Sequence, residues 1–147
     1  MLNLRSFLAL TTIASTISVL PAQAASTSTV RVEMRDATDD PSMKNMEMMA
    51  EPQSVKAGQV SFEVSNKSKS IVHEMIVVAD LGVALPYDEK KSKVIESKIK
   101  HLGEASDLAP GSKKTLKLKL KPGNYILICN QSGHYHQGMT TSFTVTK

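Results

Sequence analysis

Alternation of apolar and polar residues runs through most of the chain and predicts strands. In three segments every second residue is apolar, so that one face of each would be buried: STVRVEM from residue 28, QVSFEVSN from residue 59 and TLKLKLK from residue 115. Two more, SIVHEMIVVA from residue 70 and NYILIC from residue 124, are apolar nearly throughout, which is typical of strands covered on both faces. TTSFTVTK adds a last alternating segment at the C-terminus.

Turn signals separate these segments. KAG precedes the second alternating segment, APG precedes the Leu/Lys segment, and KPGN forms a tight turn between that segment and the next. Several short strands joined by such turns favour an all-β fold, specifically an antiparallel β-sandwich.

One stretch, residues 80–108, interrupts the strand pattern with many charged residues. Within it, apolar residues recur near helical spacing at Val94, Ile95, Ile99 and Leu102. This spacing predicts a short amphipathic helix from about Tyr87 to His101, with Gly103 placed to end it. The charges are interpreted as a solvated face, and His101 as a surface residue at the C-terminal end of that helix.

The N-terminus has the pattern of an export signal. Residues 1–24 carry one Arg, no acidic residue, the apolar run FLALTTIASTISVL and then PAQA, whose small residues fit a cleavage site. We therefore expect a signal peptide at 1–24, a periplasmic protein with no membrane span after cleavage, and a single domain at 25–147.

The net charge of the chain gives little information about its binding partners. The formal net charge is +4, and loss of Arg5 with the signal would leave +3. That value is too small to indicate nucleic-acid binding, which needs a concentrated basic face. We expect a monomer.

Cys129 is the only cysteine, so in an oxidising compartment it has no intramolecular disulfide partner. It is either a buried inert thiol or a metal ligand. It begins the stretch CNQSGHYHQGM, which gathers one Cys, two His and one Met into a single loop, with Gly133 and Gly138 to let the backbone turn. One thiolate, two imidazoles and a weak thioether form the donor set that suits copper in both oxidation states.

Such a site needs one histidine from a separate strand, in addition to one from the loop. The chain has four histidines: His73, His101, His134 and His136. A lone His in an apolar strand is usually a core residue, but the unexplained Cys129 makes His73 a candidate ligand. The choice between His134 and His136 stays open at this level.

These residues resemble the cupredoxins, the type 1 or blue copper proteins. GNYILICNQSGHYHQGM is similar to their copper-binding signature between the last two strands, and VKAGQVSFEVSNKSKSIVHEMIVV is similar to the upstream half that leads to the first His ligand. The resemblance implies a Greek-key sandwich holding one type 1 copper ion through His73, Cys129, His134 and Met139. In many members Asn follows the first His, whereas this chain has Glu74.

The resemblance also implies one-electron transfer with a redox partner protein of the cytochrome or copper oxidase type, and no enzymatic activity. Enzymes of this kind need further histidines, typically beside the Cys, and here Ile128 and Asn130 flank Cys129. The alternative function is copper delivery or tolerance, with a copper donor or acceptor protein as partner.

A methionine-rich segment at residues 43–49 bears on that alternative. It contains four thioethers within seven residues, at Met43, Met46, Met48 and Met49. Clustered thioethers can bind Cu(I), and the segment resembles Met-rich stretches of periplasmic copper-handling proteins. In the competing interpretation, Met48 or Met49 packs into the core at the start of a strand and the others lie in a loop.

Overall fold

The computed structural model describes residues 27–147, so the expected signal peptide lies outside the described residues. The described chain forms eleven strands and one short 3-10 helix, Glu96–Lys98. In chain order the strands are β1 (Ser28–Arg35), β2 (Glu47–Glu51), β3 (Ser54–Lys56), β4 (Gly58–Asn66), β5 (His73–Ala79), β6 (Tyr87–Asp88), β7 (Lys93–Val94), β8 (His101–Leu108), β9 (Lys113–Leu120), β10 (Gly123–Ile128) and β11 (Thr140–Thr146). No helix among these residues is long and apolar enough to cross a bilayer.

The strands form two large sheets and a small ribbon. The first sheet has the order β2-β1-β4-β9, the second has the order β3-β11-β10-β5-β8, and β6 pairs with β7. Every segment in which alternation or continuous apolarity predicted a strand is a strand in the structure, so the all-β prediction is confirmed.

Most strand pairs are antiparallel, as predicted, but the sheets are mixed because two pairs are parallel. β1 runs parallel to β4, and β11 runs parallel to β3. The chain passes from β1 through β2 in the first sheet and β3 in the second before β4 returns beside β1 in the same direction. This long excursion gives the crossover that a parallel pair requires.

The main core lies between the two large sheets. The inward residues of β1 and β4, such as Val32 and Phe62, are fully buried, and Phe62 meets Phe143 of β11 edge to face with ring centroids 5.3 Å apart. A second apolar cluster covers the outer face of the second sheet, where Ile76 and Ile128 pack beneath Val94 of β7. β5 and β10 are therefore buried on both faces, which explains their continuous apolar sequences.

The predicted helix from Tyr87 to His101 is wrong. The segment instead contains the β6–β7 ribbon, the 3-10 helix and the start of β8. Backbone groups that a helix would pair internally have other partners, since the Ile95 amide donates to the Pro86 carbonyl at 2.8 Å. Gly103, expected to end the helix, lies within β8, where a Cβ would come within 2.8 Å of the Leu118 side chain.

Candidate metal centre

Strand pairing brings the predicted ligands to one end of the second sheet. β5 and β10 are antiparallel, with Ile76 opposite Ile128. His73 is the first residue of β5, and Cys129 directly follows the last residue of β10. Because the start of one strand lies beside the end of an antiparallel neighbour, two residues far apart in sequence meet at the same edge.

The loop from Cys129 to Met139 is closed by its own backbone hydrogen bonds. The Cys129 amide donates to the Met139 carbonyl, and the Met139 amide donates to the His134 carbonyl, both at 3.0 Å. Gly138 has a φ of 96°, and a Cβ there would lie 2.9 Å from the Met46 carbonyl oxygen. Glycine is therefore required at this position both for the left-handed turn and for the close approach.

Three soft or borderline donor atoms, two from this loop and one from the start of β5, lie close together. His73 Nδ1 lies 3.1 Å from His134 Nδ1, and Cys129 Sγ lies 3.4 Å from the same nitrogen. All three residues are buried. With metal–nitrogen bonds of about 2.0 Å and metal–sulfur bonds of about 2.3 Å, two donors of one ion lie no more than about 4.3 Å apart, which both of these distances satisfy. The ligand atoms of all three residues lie within 4.8 Å of one another. The donor set therefore fits a single copper ion.

Met139 occupies the place in the loop that the resemblance assigns to the axial ligand. Its side chain is fully buried in the core, and its backbone bonds to both Cys129 and His134 hold it next to them. Coordination by its thioether stays a prediction.

The protonation states of the donors suit metal binding. Burial lowers the pKa of His73, and burial together with the nearby His73 lowers the pKa of His134 to about 4. Both imidazoles are therefore neutral at pH 7. Burial raises the pKa of the Cys129 thiol to about 11, so a metal that binds its thiolate must displace a proton.

The sequence interpretation missed Asp36, which bonds to the other nitrogen of His73. Its Oδ2 lies 2.8 Å from His73 Nε2. Burial alone would raise the pKa of Asp36. The hydrogen bonds that it accepts from Thr38 and His73 have the larger effect and lower its pKa to about 2. A signal was present, because Val30, Val32 and Met34 face inward and residue 36 continues the same alternation.

Two further groups fix the donors in place. The Glu74 amide donates to Cys129 Sγ at 3.4 Å, a bond that favours the thiolate. Asn66, at the end of β4, donates through Nδ2 to the Ile71 and Leu108 carbonyls and so fixes the segment that leads to His73. The Glu74 side chain is itself largely buried, and burial raises its pKa.

His136 lies away from the converging donors. It is exposed and stacks on Tyr87, with ring centroids 3.8 Å apart and planes 12° apart. The structure thus brings His134 to the site and leaves His136 against the β6–β7 ribbon.

The β6–β7 ribbon is hydrogen-bonded to the ligand loop through Asn130. The sequence interpretation also missed this residue. Asn130 Oδ1 accepts from the Val94 amide at 2.7 Å, and its Nδ2 donates to the Val94 carbonyl at 3.0 Å and to Glu96 Oε1 at 2.8 Å. A further bond of 2.7 Å joins the Gly133 amide to the Ser92 carbonyl. The charged insert is therefore part of the support for the loop.

His101 belongs to a separate, exposed group with Glu96 and Glu104 on and near β8. Its Nε2 lies 3.6 Å from Glu104 Oε2, the distance of a loose surface ion pair. It is not near His73, in keeping with its interpretation as a surface residue.

The methionine-rich segment adjoins the ligand loop, and Met48 and Met49 lie on opposite faces of β2. The Met46 amide donates to the Gln137 carbonyl at 2.9 Å, which ties the segment to the loop. Within β2, Met48 is buried in the core whereas Met49 is 37% exposed on the opposite face. Met48 and Met49 therefore cannot contribute to one site without a rearrangement of the strand.

Comparisons with known proteins agree with this architecture. The sequence matches the family model described as "Cupredoxin-like domain" over residues 6–145. No curated protein sequence gives a match.

Solved structures of similar fold include two auracyanins and rusticyanin. The dithionite-reduced auracyanin from the photosynthetic bacterium Roseiflexus castenholzii is 18% identical, with a TM-score of 0.56 over 84% of this chain and 100% of that chain. Auracyanin B is 20% identical, with a TM-score of 0.58 over 86% and 93%. Rusticyanin from Thiobacillus ferrooxidans is 16% identical, with a TM-score of 0.59 over 84% and 79%. At these identities the likeness shows a shared fold.

Proposed function

The chain belongs to the cupredoxin-like domain family, and from that premise we propose that it is a periplasmic type 1 copper protein that carries single electrons between partner proteins. The observation that carries the proposal is the convergence of His73 Nδ1, Cys129 Sγ and His134 Nδ1 within one buried cluster. Rusticyanin, which shares the fold, is described as a copper protein, and structures of reduced rusticyanin and of a dithionite-reduced auracyanin are known.

Bound at these donors, copper supplies a one-electron Cu(I)/Cu(II) couple. The chain's own contribution is to hold the donors in nearly one arrangement for both oxidation states. His73 is held by Asp36, Cys129 by the Glu74 amide, and the loop by its bonds to the ribbon. Burial keeps water from the sulfur, and the buried Met139 would supply a weak thioether ligand.

No transformation of a substrate is part of the proposal. Of the four histidines, two lie at the centre, His136 stacks on Tyr87 and His101 is on the surface. This leaves no set of imidazoles for a further catalytic copper. The expected partner is a redox protein of the cytochrome or copper oxidase type.

Copper delivery is the second candidate function. The observation that favours it is the hydrogen bond from Met46 to Gln137, which places the methionine-rich segment next to the ligand loop. Under this alternative the ion itself would leave for an acceptor protein, and the thioethers would assist that transfer.

Repeated redox cycling tests the proposal. We expect protein loaded with one equivalent of copper to lose and regain its visible absorption over many cycles of mild reduction and oxidation, while the copper content stays at one per chain. The Cys129→Ser variant is the control, because it lacks the thiolate that the absorption requires. Loss of copper to an acceptor chelator on each reduction would instead support delivery.

A further inference from the structure

Asp36 is a buried carboxylate at the end of β1 whose two oxygens have different partners. Oδ1 accepts from the Thr38 amide at 2.7 Å and from Thr38 Oγ1 at 2.5 Å. Oδ2 faces His73 Nε2 at 2.8 Å. The residue is 2% exposed. An ionised carboxylate in such surroundings is unfavourable unless it is hydrogen-bonded, and here both oxygens are.

A purely local role in the turn accounts for only half of this arrangement. An Asp that folds a turn through its own backbone uses one oxygen, as Oδ1 does with the Thr38 amide, and it has no need to be buried. The second oxygen bonds to a residue 37 positions away along the chain. That bond has a consequence for the imidazole and not for the turn.

The consequence follows from the tautomers of histidine. A carboxylate only accepts hydrogen bonds, so His73 Nε2 must carry the proton. The lone pair of a neutral His73 is then on Nδ1, which is the nitrogen that faces His134 at 3.1 Å. A carboxylate partner also makes the imidazole more basic, because its negative charge favours electron density on the ring.

We propose that Asp36 is a positioning residue that fixes His73 as its Nε2–H tautomer and, through the ring, stabilises Cu(II) more than Cu(I) and so lowers the reduction potential. The difference between the two ions arises because a negative charge near the site interacts more strongly with the ion of higher charge. This inference rests on the proposed function.

Asp36→Asn tests it with little change in shape. We expect the ratio of Cu(II) affinity to Cu(I) affinity to fall about tenfold, equivalent to a rise in reduction potential of about 59 mV. Glu33→Gln is the matched control, because it also removes a carboxylate from β1. The Glu33 carboxylate is partly exposed and paired with Lys67 at 2.9 Å. The potential of this variant should stay close to that of the wild type.

Thr38→Val gives a second variant with the opposite sign. It keeps the shape of the side chain but removes the hydroxyl that bonds to Asp36 Oδ1, so more of the negative charge acts on His73. A small fall in potential is expected. Equal potentials in wild type, Asp36→Asn and Thr38→Val, with all three proteins intensely coloured, would overturn the inference and leave the proposed function intact.

Nitrogen-15 NMR of the copper-free wild type supplies a readout that needs no metal and no variant. It should show His73 as a neutral imidazole protonated on Nε2, and protonation on Nδ1 instead would overturn the inference even if Asp36→Asn failed to fold. Absence of the intense visible band in copper-loaded wild type would instead refute the proposed function, so the two failures are distinguishable.

Discussion

The metal centre and the methionine-rich segment both contain several soft donors, yet they are built in opposite ways. The donors of the centre come from the start of β5 and from the loop after β10, and their atoms converge to within 4.8 Å. The thioethers of the segment follow one another within seven residues, yet Met48 points into the core and Met49 points away from it. Successive side chains of a strand point to opposite faces of the sheet, so neighbours in sequence are separated. Antiparallel pairing instead brings together residues that are far apart in sequence.

The support of the two regions differs in the same way. Asp36, Glu74 and Asn130 come from different parts of the chain and all take part in hydrogen bonds at or next to the centre. The segment is joined to its surroundings by backbone pairing of β2 with β1 and by the bond from Met46 to Gln137. A preorganised donor set is what a redox site needs, and only the centre shows it.

The largest expected effect is that of Cys129→Ser. The hydroxyl is a poor replacement for a soft anionic sulfur, so the intense absorption of the copper-loaded protein should vanish, while circular dichroism should show that the sandwich remains folded. Met49→Leu in the other region is the control and should keep the full absorption. A Cys129→Ser protein that stays intensely coloured would remove Cys129 from the ligand set.

Replacing the imidazoles comes next. His73→Ala and His134→Ala should each weaken Cu(II) binding by more than about a hundredfold, since even partners of ligands contribute about ten- to a hundredfold. Added imidazole should enter the opened position and change the spectrum. His136→Ala is the control and should leave affinity and spectrum nearly unchanged, because His136 stacks on Tyr87. The reverse result for His134 and His136 would contradict the ligand assignment.

Local patterns predicted most strands because their alternation reflects a single buried face. They failed between Tyr87 and His101, where the near-helical spacing comes from residues with different partners: Val94 and Ile99 pack on the outer face of β5 and β10, whereas Leu102 packs against the main core. That packing depends on a sheet formed by distant segments, so no local rule could reveal it. β8 was missed for the same reason.

Part of the candidate site could likewise be predicted from local sequence, and part of it could not. The ligands in the loop could be recognised from the sequence because copper binds only a few residue types. His73 was then predicted because such a site needs a further imidazole. Asn130 was missed because its partner Val94 is 36 residues away. Asp36 could have been noticed as a charged residue in phase with three buried apolar ones, which is an unfavourable placement unless it has a partner.

A smaller effect is expected from changing the four methionines of residues 43–49 together to Leu. Exchange of Met for Leu usually changes stability by less than about 1.5 kcal/mol per site and keeps apolar volume. Spectrum and reduction potential should therefore be nearly those of the wild type. Titration of reduced, copper-loaded protein with Cu(I) against a chelator is the second measurement. A second equivalent bound by wild type and lost in the variant would favour copper delivery.

The smallest effect concerns pH and the copper-free protein. The pKa of His134 is lowered from 6.5 to about 4, so between these values the unfolded chain binds a proton that the folded chain does not. The free energy of unfolding should therefore fall as pH decreases from 6.5 to 4. Asp36 adds a further fall only below pH 3.8, and Glu74, whose pKa is raised, acts in the opposite direction.

Denaturant titrations at several pH values, with His134→Gln beside the wild type, isolate this contribution. The variant should lose part of the decrease, whereas the four-methionine variant should keep all of it because thioethers do not titrate. An identical pH profile for His134→Gln and wild type would mean that His134 is not a buried neutral imidazole.

An optical titration of the wild-type protein with Cu(II) shows directly whether Cys129 and two imidazoles hold one copper ion. One type 1 copper held by Cys129 and two imidazoles predicts an intense visible thiolate-to-copper band that grows linearly to one equivalent and then stops. Binding of Cu(II) without such a band, or a band that continues to grow beyond one equivalent, would mean that the protein does not hold a single type 1 copper at these ligands.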